Sequence, residues 1–213
     1  MVLKQAGKEH PLKKLVVLLV LVFMSAACFA APVTIVFTSF HNNQWELGFP
    51  YTATINGGPE ISVMCDDWAR GGLPGQTWQA NHTDLGSGNL SLVRFNQLPN
   101  ALTRYDEAGW LLLQTEVTPS TQWTDINIAV WYNFDNSTPL TVGAQNWLNL
   151  AQQEANIGFP GVNFHRVSIY TPVDQYDPNP DGPQELLTIV PEPTSLVLLA
   201  GGFLGLLARK RFM

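Results

Sequence analysis

Two apolar runs, residues 15–24 and 195–208, stand near the two ends of this 213-residue chain, each beside a group of cations. They confine the water-soluble fold to the stretch between them. The first run follows Lys4, Lys8, Lys13 and Lys14 and leads into Ser25-Ala26-Ala27-Cys28-Phe29-Ala30-Ala31-Pro32. A basic start, a short apolar run and a small-residue exit have the order of a secretory signal peptide. Residues 1–30 are read as that signal, cut after Ala30, because a cut one residue later would put Pro32 just past the scissile bond. An uncleaved anchor would want a longer run. A lipidated Cys28 would want a large aliphatic three residues earlier, where Ser25 stands.

Residues 31–190 then make one domain of ordinary size. It divides into an ectodomain over 31–173 and a last strand with a Pro/Asp-rich linker over 174–190. Its cations are Arg70, Arg94, Arg104 and Arg166 against fifteen acids, a balance of −11, and no lysine occurs between Lys14 and Lys210. Such a surface repels nucleic acid and anionic lipid and favours cations or neutral partners such as sugars. Once Cys28 leaves with the signal, Cys65 stands alone and no intramolecular disulfide can form. A lone cysteine in an exported chain is a buried thiol, an intermolecular bridge or a reactive group.

β-Branched and aromatic residues over 33–40 predict a strand. Residues 51–56 and 61–64, joined through Gly57-Gly58-Pro59, predict a hairpin leading to Cys65. Residues 76–80 predict a further short strand. Leu102, Tyr105, Ala108 and Leu112 recur at helical steps over 102–115, as do Trp147, Leu148, Ala151 and Ala155 over 141–155. Residues 123–134 fit both a strand and a helix period. Residues 167–170 and 185–189 return to strand. Strands, helices, then strands predict an α+β fold, a β-rich sandwich or barrel-like single domain with about three helices.

Asp177, Asn179 and Asp181 alternate ahead of Gly182, like the opening of a calcium loop. The closing glutamate is missing, since Thr188 holds its position, and Pro178 and Pro180 stiffen the segment. A solvated Pro/Asp turn is the simpler reading, and no other cofactor is expected. His41, His82 and His165 are too scattered for a zinc site. The chain has no Gly-x-Ser-x-Gly elbow and no phosphate-cradling glycine loop. Asp66-Asp67 and Asp106-Glu107 read as solvated charges or caps, and nothing marks two acids as a catalytic pair. A non-enzymatic protein is expected.

The C-terminal run has three parts. Pro191-Glu192-Pro193 cannot be helical throughout and gives an extended hinge. Residues 195–208 span about 21 Å as a helix, against about 30 Å of hydrocarbon. Arg209-Lys210-Arg211 is a membrane stop that stays cytoplasmic and leaves residues 31–190 outside the inner membrane. This tail, residues 191–213, resembles the PEP-CTERM sorting signal of bacterial surface proteins. The resemblance implies cleavage by an exosortase, a membrane cysteine transpeptidase. It implies transient residence in the inner membrane through a C-terminal transmembrane helix, then the cell surface or extracellular matrix. Exosortase, inner membrane and exopolysaccharide are the partners implied, and nucleic acid is not.

Between the ends, MCDDW (64–68), GQTWQA (75–80), RYDEAGWLL (104–112), INIAVWYNF (126–134), VSIYTP (167–172) and PQELL (183–187) resemble one family of proteins that carry this tail. A more distant likeness is to the thioester domains of bacterial adhesins, in which a cysteine condenses with a glutamine in a motif like Thr-Gln-x-Ala-Ile-Trp. Cys65 and Ile126-Asn127-Ile128-Ala129-Val130-Trp131 stand for the two parts. That likeness implies a Cys65–Asn127 pair able to capture an amine, a helix over 126–134 and Trp131 in the core. Asn127 is one methylene shorter than glutamine, and Asp66 and Asp67 disfavour the thiolate. A lysine-free ectodomain, in turn, has no lysine amine to quench such a bond. The expected function is structural or interactive, in the envelope or exopolysaccharide. The alternatives are a covalent adhesin using Cys65 with Asn127, and a carbohydrate binder stacking sugars on Trp45, Trp68, Trp78 or Trp123.

Overall fold

The fold is seen in a computed structural model, which describes residues 31–40, 49–174 and 182–190. Among these residues lie six strands: β1 Val33–Ser39, β2 Tyr51–Ile55, β3 Glu60–Cys65, β4 Thr77–Asp84, β5 Val167–Pro172 and β6 Leu186–Ile189. They close into a barrel in the order β1-β2-β3-β6-β5-β4, with every neighbouring pair antiparallel. The period-two pattern sets the wall. Ile35, Phe37, Ala53, Trp78 and Ala80 are buried, while the alternating Thr34, Val36, Thr52 and Thr54 are half-exposed. Between β2 and β3, Asn56 and Gly57 take φ of 51° and 68°, and the Gly58 N–H closes on the Ile55 carbonyl at 2.9 Å. Asparagine followed by glycine suits such a left-handed turn.

Three helices fill the long connection from β4 to β5: α1 Ala101–Gln114, α2 Trp123–Phe134 and α3 Val142–Asn156. The middle one packs on both others and on the end of β3, and eight of its twelve residues are buried. A helix buried on nearly all sides has no polar face, so its sequence loses the contrast that separates helix from strand. That is why residues 123–134 fit both periods. They are helical, with Trp131 buried. At the start of α3, Thr141 Oγ1 accepts from the Ala144 N–H at 3.0 Å and donates to Asp125 Oδ1 at 2.6 Å. This ties the helix N-cap to α2. Where α1 crosses the turns at 85–87 and 164–166, Gly109 leaves no room. A Cβ there would lie 2.5 Å from Leu85 and 3.3 Å from the Phe164 ring.

β4 runs to Asp84, beyond the expected end at Ala80. Its extra residues pair with β5, from Asn81 opposite Thr171 to Asp84 opposite Ser168, so the partner strand imposes the extended conformation on a polar stretch. All six residues of β5 are buried, which a sheet element shows when both of its faces are covered. The last strand, β6, lies within the wall between β3 and β5. Val190 continues it with a 2.8 Å bond from its N–H to the Arg166 carbonyl. Among the described residues no helix is long and apolar enough to cross a membrane. The signal peptide and the transmembrane sorting helix expected from the sequence lie outside those residues.

Candidate functional site

At the end of β3 the chain turns through Cys65-Asp66-Asp67-Trp68, and several elements meet there. Cys65 is held by its ladder partner Leu186 on one side and by α2 on the other. The Asn127 Nδ2 donates to the Cys65 carbonyl at 2.9 Å, and its Oδ1 accepts from the Phe49 N–H at 3.2 Å. The structure thus brings the two residues of the sequence-predicted pair together, through the backbone of Cys65. Both ends of the amide are engaged, and Asn127 works as a strut between α2, β3 and the approach to β2.

The Cys65 sulfur donates to the Asp67 carbonyl at 3.3 Å and accepts from the Asp67 N–H at 3.2 Å. Burial pushes the thiol well up, and the adjacent Asp66 and Asp67 add to it. The Trp131 indole opposes this weakly, and its N–H makes no hydrogen bond of ordinary geometry to any described residue. Cys65 is therefore a protonated, enclosed thiol at neutral pH.

The two aspartates that follow are buried, not solvated as their sequence suggests. Asp67 is paired with the Arg94 guanidinium and with Arg70 Nε at 3.4 Å. Arg94 also donates to the Pro183 carbonyl at 3.0 Å, and its backbone N–H donates to Glu185 Oε2 at 2.9 Å. Glu185 takes two more donors, the Tyr105 and Thr171 hydroxyls. Tyr105 in turn accepts from the Phe95 N–H at 3.1 Å. Asp66 and Glu185 are each 0 % exposed. The Asp66 carboxyl lies against Glu185, and its oxygens accept no hydrogen bond from any described residue. Burial first, then Glu185, holds Asp66 well above the usual carboxylate range. Burial and the same two acids push the Tyr105 phenol up as well. Sequence reasoning missed this cluster because its members come from opposite ends of the domain, and acids carry no local sign of burial.

The other candidates disperse. Trp68 is 37 % exposed and leans over Trp131, ring centroids 4.9 Å apart. Trp78 is buried in the barrel and is removed as a stacking platform. Trp123 is half-buried, 5.3 Å from the Phe49 ring, and Trp45 lies outside the described residues. His82 Nε2 meets Ser168 Oγ at 2.8 Å, while His165 Nδ1 meets Asp84 Oδ2 at 2.8 Å. Among the described residues no three His, Cys, Asp or Glu groups converge as a metal site. Asp177, Asn179 and Asp181 lie outside those residues, as do Pro191, Glu192, Pro193, Arg209, Lys210 and Arg211. A recess of about 250 Å³ beside β3, β6 and α1 is lined by Phe49, Ile61, Ser62, Leu112, Thr188 and Ile189, with no charged group.

No curated protein matches this chain in sequence. Among solved structures, the N-terminal domain of the Streptococcus pyogenes pilus tip adhesin Cpa is similar at 10% identity and a TM-score of 0.46, covering 75% of this chain and 94% of that one. The N-terminal thioester domain of the fibronectin-binding protein SfbI from Streptococcus pyogenes is similar at 15% identity and a TM-score of 0.44, covering 76% and 95%. Residues 190–211, which begin where the last barrel strand ends, match the PEP-CTERM protein-sorting motif, and the chain therefore carries a C-terminal sorting signal.

Proposed function

We propose that this is an exported protein of the bacterial cell surface or extracellular matrix, sorted by an exosortase and non-enzymatic in its folded domain. The observation that carries this is the sorting motif at 190–211, set directly after the strand that closes the barrel. Its role is structural or interactive, in the envelope or exopolysaccharide. A lysine-free acidic surface and the exposed face of Trp68 favour a neutral, sugar-like partner over an anionic one. The test is fractionation of a host that makes exosortase. Replacing Pro191, Glu192 and Pro193 by alanine should shift the protein from the surface or medium to the membrane fraction. An unchanged distribution would remove the sorting step from this reading.

A second reading, a covalent thioester adhesin, draws on the contact between Asn127 and Cys65. In it the sulfur bonds to the Asn127 carboxamide carbon and ammonia leaves. Both amide ends of Asn127 already hold backbone partners, and the thiol is pushed away from its reactive form. These favour a structural Cys65. Intact mass decides: a deficit of one ammonia, reversed by methylamine, supports the covalent reading, and a full mass with an alkylatable thiol ends it.

A further inference from the structure

We propose that Asp66 and Glu185 form a proton-shared latch, in which one proton bridges the two buried carboxyls and joins the end of β3 to the start of β6. Its loss on raising the pH would loosen the corner that encloses Cys65.

The geometry assigns the proton. Glu185 receives the Arg94 N–H, the Tyr105 hydroxyl and the Thr171 hydroxyl, which is the arrangement of an ionised carboxylate. Asp66 receives no donor from any described residue, although it is fully buried. A buried carboxylate without a donor is costly, whereas a protonated one can donate to its neighbour. The charges agree. The groups around Asp66 are Cys65 and Asp67 on its own segment, Arg70 after it, Arg94 before α1, Tyr105 on α1 and Glu185 before β6. Two guanidiniums meet three carboxyls, and both guanidiniums are paired with Asp67. Two like-charged carboxylates packed together would repel, and a proton kept on Asp66 removes that repulsion.

The direction of the pH effect follows. Burial and Glu185 raise the folded-state value of Asp66 above its unfolded one, so the folded chain holds the proton more tightly. The stabilisation is complete below the unfolded value of about 4 and declines as pH rises toward the folded one. Asp106 and Glu107 are shifted the same way, but both remain when Asp66 alone is changed. A comparison with Asp66→Asn therefore removes the Asp66 titration while keeping those of Asp106 and Glu107, and the asparagine amide can donate to Glu185 at any pH.

The experiment is thermal unfolding of the purified full chain from pH 4 to pH 9, with Cys65 alkylation followed by peptide mass spectrometry. The gap between Asp66→Asn and wild type should widen by several degrees in Tm as pH rises. Wild-type Cys65 should react more steeply than the tenfold per pH unit that thiolate formation alone gives, and Asp66→Asn should not exceed it. A Tm gap that stays constant with pH, or identical alkylation profiles, overturns the proposal. If Asp66→Asn fails to fold, the Asp66 carboxyl carbon shift in the wild-type protein decides: protonated at neutral pH supports the latch, and ionised contradicts it.

Discussion

Asn127 shows how one side chain substitutes for a backbone ladder. Its carboxamide answers a carbonyl at the end of β3 and an N–H ahead of β2, at a corner where the barrel hydrogen bonds run out. Asn127→Ala leaves both groups unmet in a buried place, and a loss of about 2 kcal/mol or more is expected, measured as the shift in urea midpoint at constant m. A loss below about 0.5 kcal/mol would mean that water meets both groups. Cys65 is the companion case. In native buffer near neutral pH it should resist iodoacetamide, and label fully in denaturant. Rapid native labelling would contradict the enclosed, protonated thiol.

At the scale of elements, helix ends and crossings set the stability. Thr141→Ala removes the cap of α3 and its link to Asp125, and should cost about 1 kcal/mol. Gly109→Ala puts a methyl into the crossing of α1 with Leu85 and Phe164, and should cost about 1–3 kcal/mol despite better helix propensity. Circular dichroism melts read both changes, and a stabilised Gly109→Ala would show that Leu85 yields. The same elements explain what the sequence discloses. β1, β2, α1 and α3 are legible because each has one face toward the core and one toward water, so its period is visible. α2 is not, being buried nearly all round, and β4 past Ala80 is extended because β5 pairs with it. At the candidate site Cys65 and Asn127 are singled out by the likeness of their motifs. Asp66 and Glu185 are silent, since only tertiary closure of β3 against β6 brings them together.

For the molecule as a whole, the order of parts is the functional statement. A barrel closed by its last strand passes at once into the sorting motif, so removing the tail costs the barrel no strand only if the cut falls after Ile189. Residues 31–190 carry no lysine, which leaves the exported domain without a side-chain amine. The most direct test of this account is the intact mass of the protein released by a host that makes exosortase. A product that starts at Ala31, retains β6, lacks Arg209-Lys210-Arg211 and shows a full mass with a free Cys65 thiol is predicted. A product that keeps the basic tail would contradict sorting by this motif, and one short by an ammonia would contradict the structural role of Asn127.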